Sequence, residues 1–214
     1  MLPASDERKQ IARLFNFLLM GEQLAHDCAR RQSLIFEDTP SRRFLQAQAR
    51  QEALHAKIFK AGIGILAPRG IGEPLAQTEM SQYRSLLESA LDRGDKLESL
   101  LGMQILLEGM GDVALKRISS GFASRNLAFN RVRKLIVGQE DAHHNFGLRR
   151  FQQLIGSQAS EWQGMRYQSE LYLEVLNNML HTLQPFFEFF DEHAEDYIDE
   201  LQGMLPANMK LAVA

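Results

Sequence analysis

A single cysteine, Cys28, stands in 214 residues, and it excludes an internal disulfide, a thiolate metal site and any four-cysteine electron-transfer cluster. No uncharged apolar run approaches the roughly 18 residues that a membrane span needs. Basic excess is also missing: 24 Lys and Arg face 27 Asp and Glu, and a net charge of −3 gives no global attraction to nucleic acid. The basic run Arg131-Val132-Arg133-Lys134 is therefore read as a solvated helix face. The N-terminal residues Met1 to Glu7 lack the basic and apolar segments of a secretory signal, so a reducing cytoplasm is the expected location. Alternating strand patterns, solenoid repeats and low-complexity stretches are absent too. What is present is ordinary for a globular chain, with 45% hydrophobic and 24% charged residues. One domain over residues 1–214 is expected, since this length suffices for one well-buried core.

The pattern that remains is helical. Ser5 before Asp6 and Glu7 is a start signal, and Ile11, Leu14, Phe15, Leu18, Leu19 and Ala25 continue at helical spacing to about Leu34. Thr39 as cap and Pro40 in the first turn begin a second helix, predicted to end near Ala61. Residues 62 to 77 hold six glycines and prolines and read as one long connection that crosses the bundle. A third helix is predicted from Thr78 to about Ile118, with a kink at Arg93-Gly94-Asp95, and a fourth from about Ala123 to Ile155 after a stop at Gly121. Two further helices are predicted over about 158–183 and 185–203. Two helices, a long crossover and two helices is the connectivity of a ferritin-like four-helix bundle, here over about 5–156, with C-terminal helices added.

Six residues do not belong in such a core. Glu-x-x-His occurs as Glu52-Ala53-Leu54-His55 and as Glu140-Asp141-Ala142-His143, and in a helix each spacing puts a carboxylate and an imidazole on one face. With 17 Glu and 6 His, chance alone supplies about half a match per chain, so the pairs carry weight only in company. Glu22 and Glu108 supply that company, each among apolar neighbours on one of the other two helices. A glutamate buried on each of four helices is explained if cations neutralise them, and one Glu from two helices plus Glu-x-x-His from the other two is a di-metal carboxylate pattern. Four carboxylates and two imidazoles favour iron or manganese over zinc. Asp112, one turn beyond Glu108, is expected to orient His55 or His143 from outside the ligand set. His26, one turn after Glu22, is within reach of the site but is read as structural or exposed; His144 points about 100° away from His143 and is not expected to be a ligand; His181 and His193 lie outside the bundle hairpins and read as ordinary.

Gly21-Glu22-Gln23 with Ala25-His26, Glu52-x-x-His55 with Lys57 and Phe59, and Glu140-x-x-His143-x-Asn145-Phe146-Gly147 resemble the ligand segments of the ferritin-like di-iron superfamily, most nearly those of aldehyde-deformylating oxygenases. The likeness covers roughly residues 15 to 150. It implies two irons ligated by the six residues above, dioxygen as co-substrate, electrons from an external reductase, and a long-chain aldehyde. After Glu108 the chain departs from that family, continuing Gly109-Met110-Gly111-Asp112 where apolar and aromatic residues line the family's channel. The expected activity is therefore the broader one: a di-iron or dimanganese oxidase or oxygenase acting on a small or lipid-like molecule. The apolar C-terminal residues Leu171, Leu173, Val175, Leu176, Met179, Leu180, Phe186, Phe187, Phe189 and Phe190 are read as a pocket roof, core packing or a subunit interface, the last compatible with a homodimer. Two alternatives stay open. A tRNA-nucleoside hydroxylase requires basic residues at the pocket mouth, such as Arg149, Arg150, Arg131, Arg133 and Lys134. An iron-storage protein requires a large cage.

Overall fold

The computed structural model describes residues 5–121, 127–156, 159–189 and 192–209. Helix α1 spans Ser5–Ile35 and α2 spans Thr39–Leu66. The cap of α2 is Asp38, one residue before the expected Thr39, and its carboxylate accepts from the Ser41 amide at 2.8 Å. Phe15 meets Phe59 while His26 Nδ1 donates to the Ala49 carbonyl at 2.7 Å, so the two helices run antiparallel. Helix α2 runs five residues past its expected end, through Gly62 and Gly64. The reason is packing: a Cβ on Gly62 would lie 2.7 Å from the Phe15 ring, so this glycine admits a close helix contact instead of marking a loop.

The crossover is built differently from the sequence expectation. Its glycine-rich part is only the stretch 67–76, and helix α3, Gln77–Asp92, carries the chain back along the bundle. Arg93-Gly94-Asp95 then reverses it, with Gly94 at φ 68° and Asp95 capping α4 (Lys96–Leu100) through the Glu98 amide at 2.9 Å. This is a break where a kink was expected. Tyr83 Oη donates to the Gly102 carbonyl at 2.6 Å, whereas one continuous helix would hold these residues about 28 Å apart. Helix α4 continues through a π-helical segment, Leu101–Leu107, into α5, Glu108–Gly121, and this composite is the third bundle helix.

The fourth is α6, Leu127–Leu154, and the expected start near Ala123 lies outside the described residues. Beyond it come α7 (Ala159–Thr182), α8 (Gln184–Glu188), α9 (Ala194–Gly203) and a 3₁₀ turn at Ala207–Met209. The single helix expected over 185–203 is thus two, separated after Glu188. One hydrophobic core runs from Ile11 on α1 to Met209. Leu176, Met179, Leu180, Phe186 and Phe187 are buried in it, which is core packing; Phe190 lies outside the described residues. None of the described helices is long and apolar enough to cross a membrane. The architecture is an all-α ferritin-like bundle with a helical crossover and C-terminal helices.

Candidate metal centre

Four helices deliver the six residues to one point. Glu22 (α1), Glu52 and His55 (α2), Glu108 (start of α5), Glu140 and His143 (α6) are each at most 8% exposed. They form two interlocking sets: Glu22, Glu52, His55 and Glu140 in one, and Glu52, Glu108, Glu140 and His143 in the other, with the ligand atoms of each set within 4.8 Å of one another. Glu52 and Glu140 belong to both. His55 Nδ1 lies 3.3 Å from Glu22 Oε2, 3.0 Å from Glu52 Oε2 and 3.2 Å from Glu140 Oε1. His143 Nδ1 lies 2.9 Å from Glu52 Oε1 and 3.5 Å from Glu108 Oε2.

The imidazoles are aimed by residues that the sequence reading missed. His55 Nε2 donates to Gln139 Oε1 at 2.7 Å, and His143 Nε2 donates to Gln51 Oε1 at 2.9 Å. Each glutamine immediately precedes the glutamate of the opposite motif, so Gln-Glu-x-x-His occurs twice and each copy clamps the other's histidine. That fifth residue was a visible signal. With both Nε2 protons fixed outward, both Nδ1 atoms face the carboxylates. Asp112 does not have the orienting place expected for it. Its Oδ2 accepts from Lys116 Nζ at 2.5 Å, Oδ1 has no partner, and burial raises its pKa against the lowering effect of Lys116.

His26 lies on the Ala49 carbonyl, and His181 and His193 are exposed. His144 has a structural task, because its Nδ1 donates to the Gln104 carbonyl at 3.2 Å, inside the π-helical segment where the i→i+4 ladder is broken. Burial holds this ring below its ordinary pKa. The π segment ends at Glu108, whose amide bonds to the Met103 carbonyl, so the irregularity sets where this carboxylate points. Gly147 makes room for it: a Cβ there would lie 2.4 Å from Gln104 Cβ and 3.3 Å from its carbonyl carbon. Gly147→Ala is expected to destabilise the metal-free protein by about 1–3 kcal/mol, an overpacking cost, read as a melting temperature lowered by several degrees. An unchanged melting temperature would mean the helices part there without strain.

The electrostatics describe a cluster in need of cations. Burial, then the charge of Glu140, pushes Glu22 well above the ordinary carboxylate range; burial, then Glu140 and Glu52, does the same to Glu108. Burial also opposes ionisation of Glu140, but the close approach of Glu108, His143 and His55 outweighs it and holds Glu140 low. For the histidines burial disfavours the charged ring, yet the surrounding carboxylates prevail, raising His55 strongly and His143 to about 12. Even so, both oxygens of Glu52, Glu140 Oε1 and His143 Nδ1 are buried without a hydrogen bond. Buried orphan acceptors cost about 1–3 kcal/mol each, and oxygen-loving divalent ions would satisfy all of them at once.

A narrow cavity of about 30 Å3, room for about two waters, reaches Glu22, Glu108 and Glu140. Its other walls include Phe17, Leu18, Ala25, Met80 and Met110, and among the described residues no Lys or Arg lines it. Gly111 also borders it, with nothing within 4 Å of an added Cβ. Arg149 and Arg150 line a separate recess beside Phe44 and Phe146, away from this cavity. The side chain of Arg131 lies outside the described residues.

The bundle and its buried carboxylate–histidine cluster together define a ferritin-like helical protein with a candidate di-metal centre. No protein-family model matches the chain, and no curated protein matches it. Among solved structures it is similar to "Protein 19 with aldehyde deformylating oxidase activity from Synechococcus", with a TM-score of 0.74 over 94% of this chain and 88% of that one at 17% identity. The likeness establishes the shared fold.

Proposed function

We propose that this protein is a di-metal oxidase or oxygenase that holds two iron or manganese ions and uses dioxygen to oxidise a small or lipid-like organic molecule. The observation that carries the proposal is the pair of interlocked ligand sets, with unsatisfied buried acceptors, opening on an apolar cavity. Glu22 and His55 would hold one ion and Glu108 and His143 the other, with Glu52 and Glu140 shared. With both ions bound, the centre would supply electrons for dioxygen reduction and Lewis acidity. Gln51 and Gln139 keep the imidazoles aimed, and Phe17, Leu18 and Met80 give the approach to the carboxylates an apolar wall. The chain lacks an electron-transfer cluster of its own, so an external reductase is part of the proposal.

The apolar lining, with no cation among the described residues, favours a neutral or lipid-like substrate over a tRNA nucleoside. An aldehyde is the first substrate to try, because the structural relative carries aldehyde deformylating oxidase activity. The core shared by α7 to α9 with the bundle supports a single domain over 1–214. Iron-loaded protein, chemically reduced, should consume dioxygen measured with an oxygen electrode, faster with a fatty aldehyde present. Uptake no greater than that of Glu52→Ala would overturn the reading. Gly111→Leu should keep its metal but slow dioxygen uptake roughly tenfold or more, since a four-carbon side chain would fill the water-sized cavity beside Glu22 and Glu108.

A further inference from the structure

The two halves of the centre differ in how their outer carboxylates are held. Glu108 Oε1 accepts from Gln48 Nε2 at 2.7 Å, which leaves Oε2 facing His143. Gln48 is itself fixed: its Oε1 accepts from Gln104 Nε2 at 3.2 Å. Gln104 and Gln32 exchange two bonds, at 2.6 and 2.9 Å, and Gln32 Nε2 also reaches Ser99 Oγ at 3.3 Å. Gln32, Gln48, Gln104 and Ser99 are all 0% exposed, so water cannot replace a broken link. The direction of the chain is fixed too. Turning the Gln48 amide over would set its oxygen against the Glu108 carboxylate and its NH2 against that of Gln104.

Glu22 has no such tether. Its one polar contact among the described residues is His55 Nδ1 at 3.3 Å, an atom that a bound metal would take. Its carboxylate also borders the cavity. Glu108 borders the same cavity, but with one oxygen committed elsewhere.

We infer that the Gln32–Gln104–Gln48 chain, by holding one oxygen of Glu108, would make the Glu108–His143 half the tighter metal position and leave the Glu22–His55 half the weaker and more adaptable one. Gln48 is thus a positioning residue acting through Glu108. The inference rests on the di-metal reading above and goes beyond it by making the two positions unequal.

The test is an anaerobic Mn2+ titration of metal-free full-length protein, with free Mn2+ followed by electron paramagnetic resonance. Wild type should bind two ions in two unequal steps. Gln48→Met should weaken the tighter step roughly 10- to 100-fold, the usual effect of losing a hydrogen bond to a ligand, and leave the weaker step in place. Gln104→Met should weaken the same step by less. Glu22→Gln should abolish the weaker step and spare the tighter one, which decides the matter even if Gln48→Met does not fold. Two equal steps in wild type, or a Gln48 or Gln104 effect on the weaker step, would overturn the inference. Binding of fewer than two ions by wild type would instead overturn the di-metal reading itself, so the two failures are distinguishable.

Discussion

Replacing either Glu52 or Glu140 with alanine is expected to empty both metal positions, whereas Glu22→Ala or Glu108→Ala should empty one. Glu52 and Glu140 contribute oxygens to both ligand sets, and each lies between the two Nδ1 atoms. Removing a shared carboxylate leaves each ion with one imidazole and two carboxylates, and also deletes the charge that holds the ions at close range. Removing an outer one leaves the other set whole. Elemental analysis of protein purified with excess iron or manganese should therefore fall from about two ions per chain to near none for Glu52→Ala and Glu140→Ala, and to about one for Glu22→Ala and Glu108→Ala. Equal, partial losses in all four variants would show that the carboxylates are not shared as the geometry implies.

The second large effect is on stability and its dependence on pH. Chelation of the metals should lower the melting temperature by on the order of 10 °C, because two ions at about a hundred times their dissociation constants together stabilise by about 5 kcal/mol. The gap should widen from pH 6 to pH 8. Without metal, Glu22 and Glu108 have folded pKa values above their unfolded ones, as have His55 and His143. A raised folded pKa stabilises fully below the unfolded pKa, and that contribution is lost as pH rises towards the folded value. For the two glutamates the loss begins above about pH 4.5, and for the histidines above about pH 6.5. The metal-free protein therefore weakens across this window. The loaded protein holds these ligands deprotonated, as most of them already are in the unfolded chain, so its own stability changes little and the gap widens by about 1.4 kcal/mol per pH unit for each proton that metal binding releases. Thermal melts at pH 6, 7 and 8, with and without chelator, measure this; a gap that narrows with pH would contradict the proton count.

Much of the site was legible before any coordinates, for a definite reason. Helical periodicity is a local property, so Glu52 with His55 and Glu140 with His143 share faces whatever else the chain does. A lone glutamate among leucines, as at Glu22 and Glu108, signals an unusual interior because burying an unpaired charge is prohibitively costly. These features, with the near absence of cysteine, determined the all-α class and the six residues that the fold brings together, and they are the ground for expecting a hard metal. The repeated Gln-Glu-x-x-His was equally present in the sequence, but glutamine has no default role there, and only the pairing of α2 with α6 gives Gln51 and Gln139 theirs.

What the sequence left undecided depends on contacts between distant segments. The crossover was assigned to the glycine-rich stretch, whereas α3 supplies most of it, because Gly62 answers to Phe15 forty-seven positions away rather than to its own neighbours. Asp112 sits at the right spacing from Glu108 to orient a ligand, but Lys116 lies one further turn along and takes its carboxylate. The π segment arises where Gly147 and His144 on α6 accommodate Gln104, and no local pattern announces it. Periodicity therefore determined which residues face inward and what metal chemistry they can support. Only tertiary packing decided which of them belong to both ligand sets, which are tethered and where the cavity opens, because those relations are set by side chains from different helices meeting in a space too tight for alternatives.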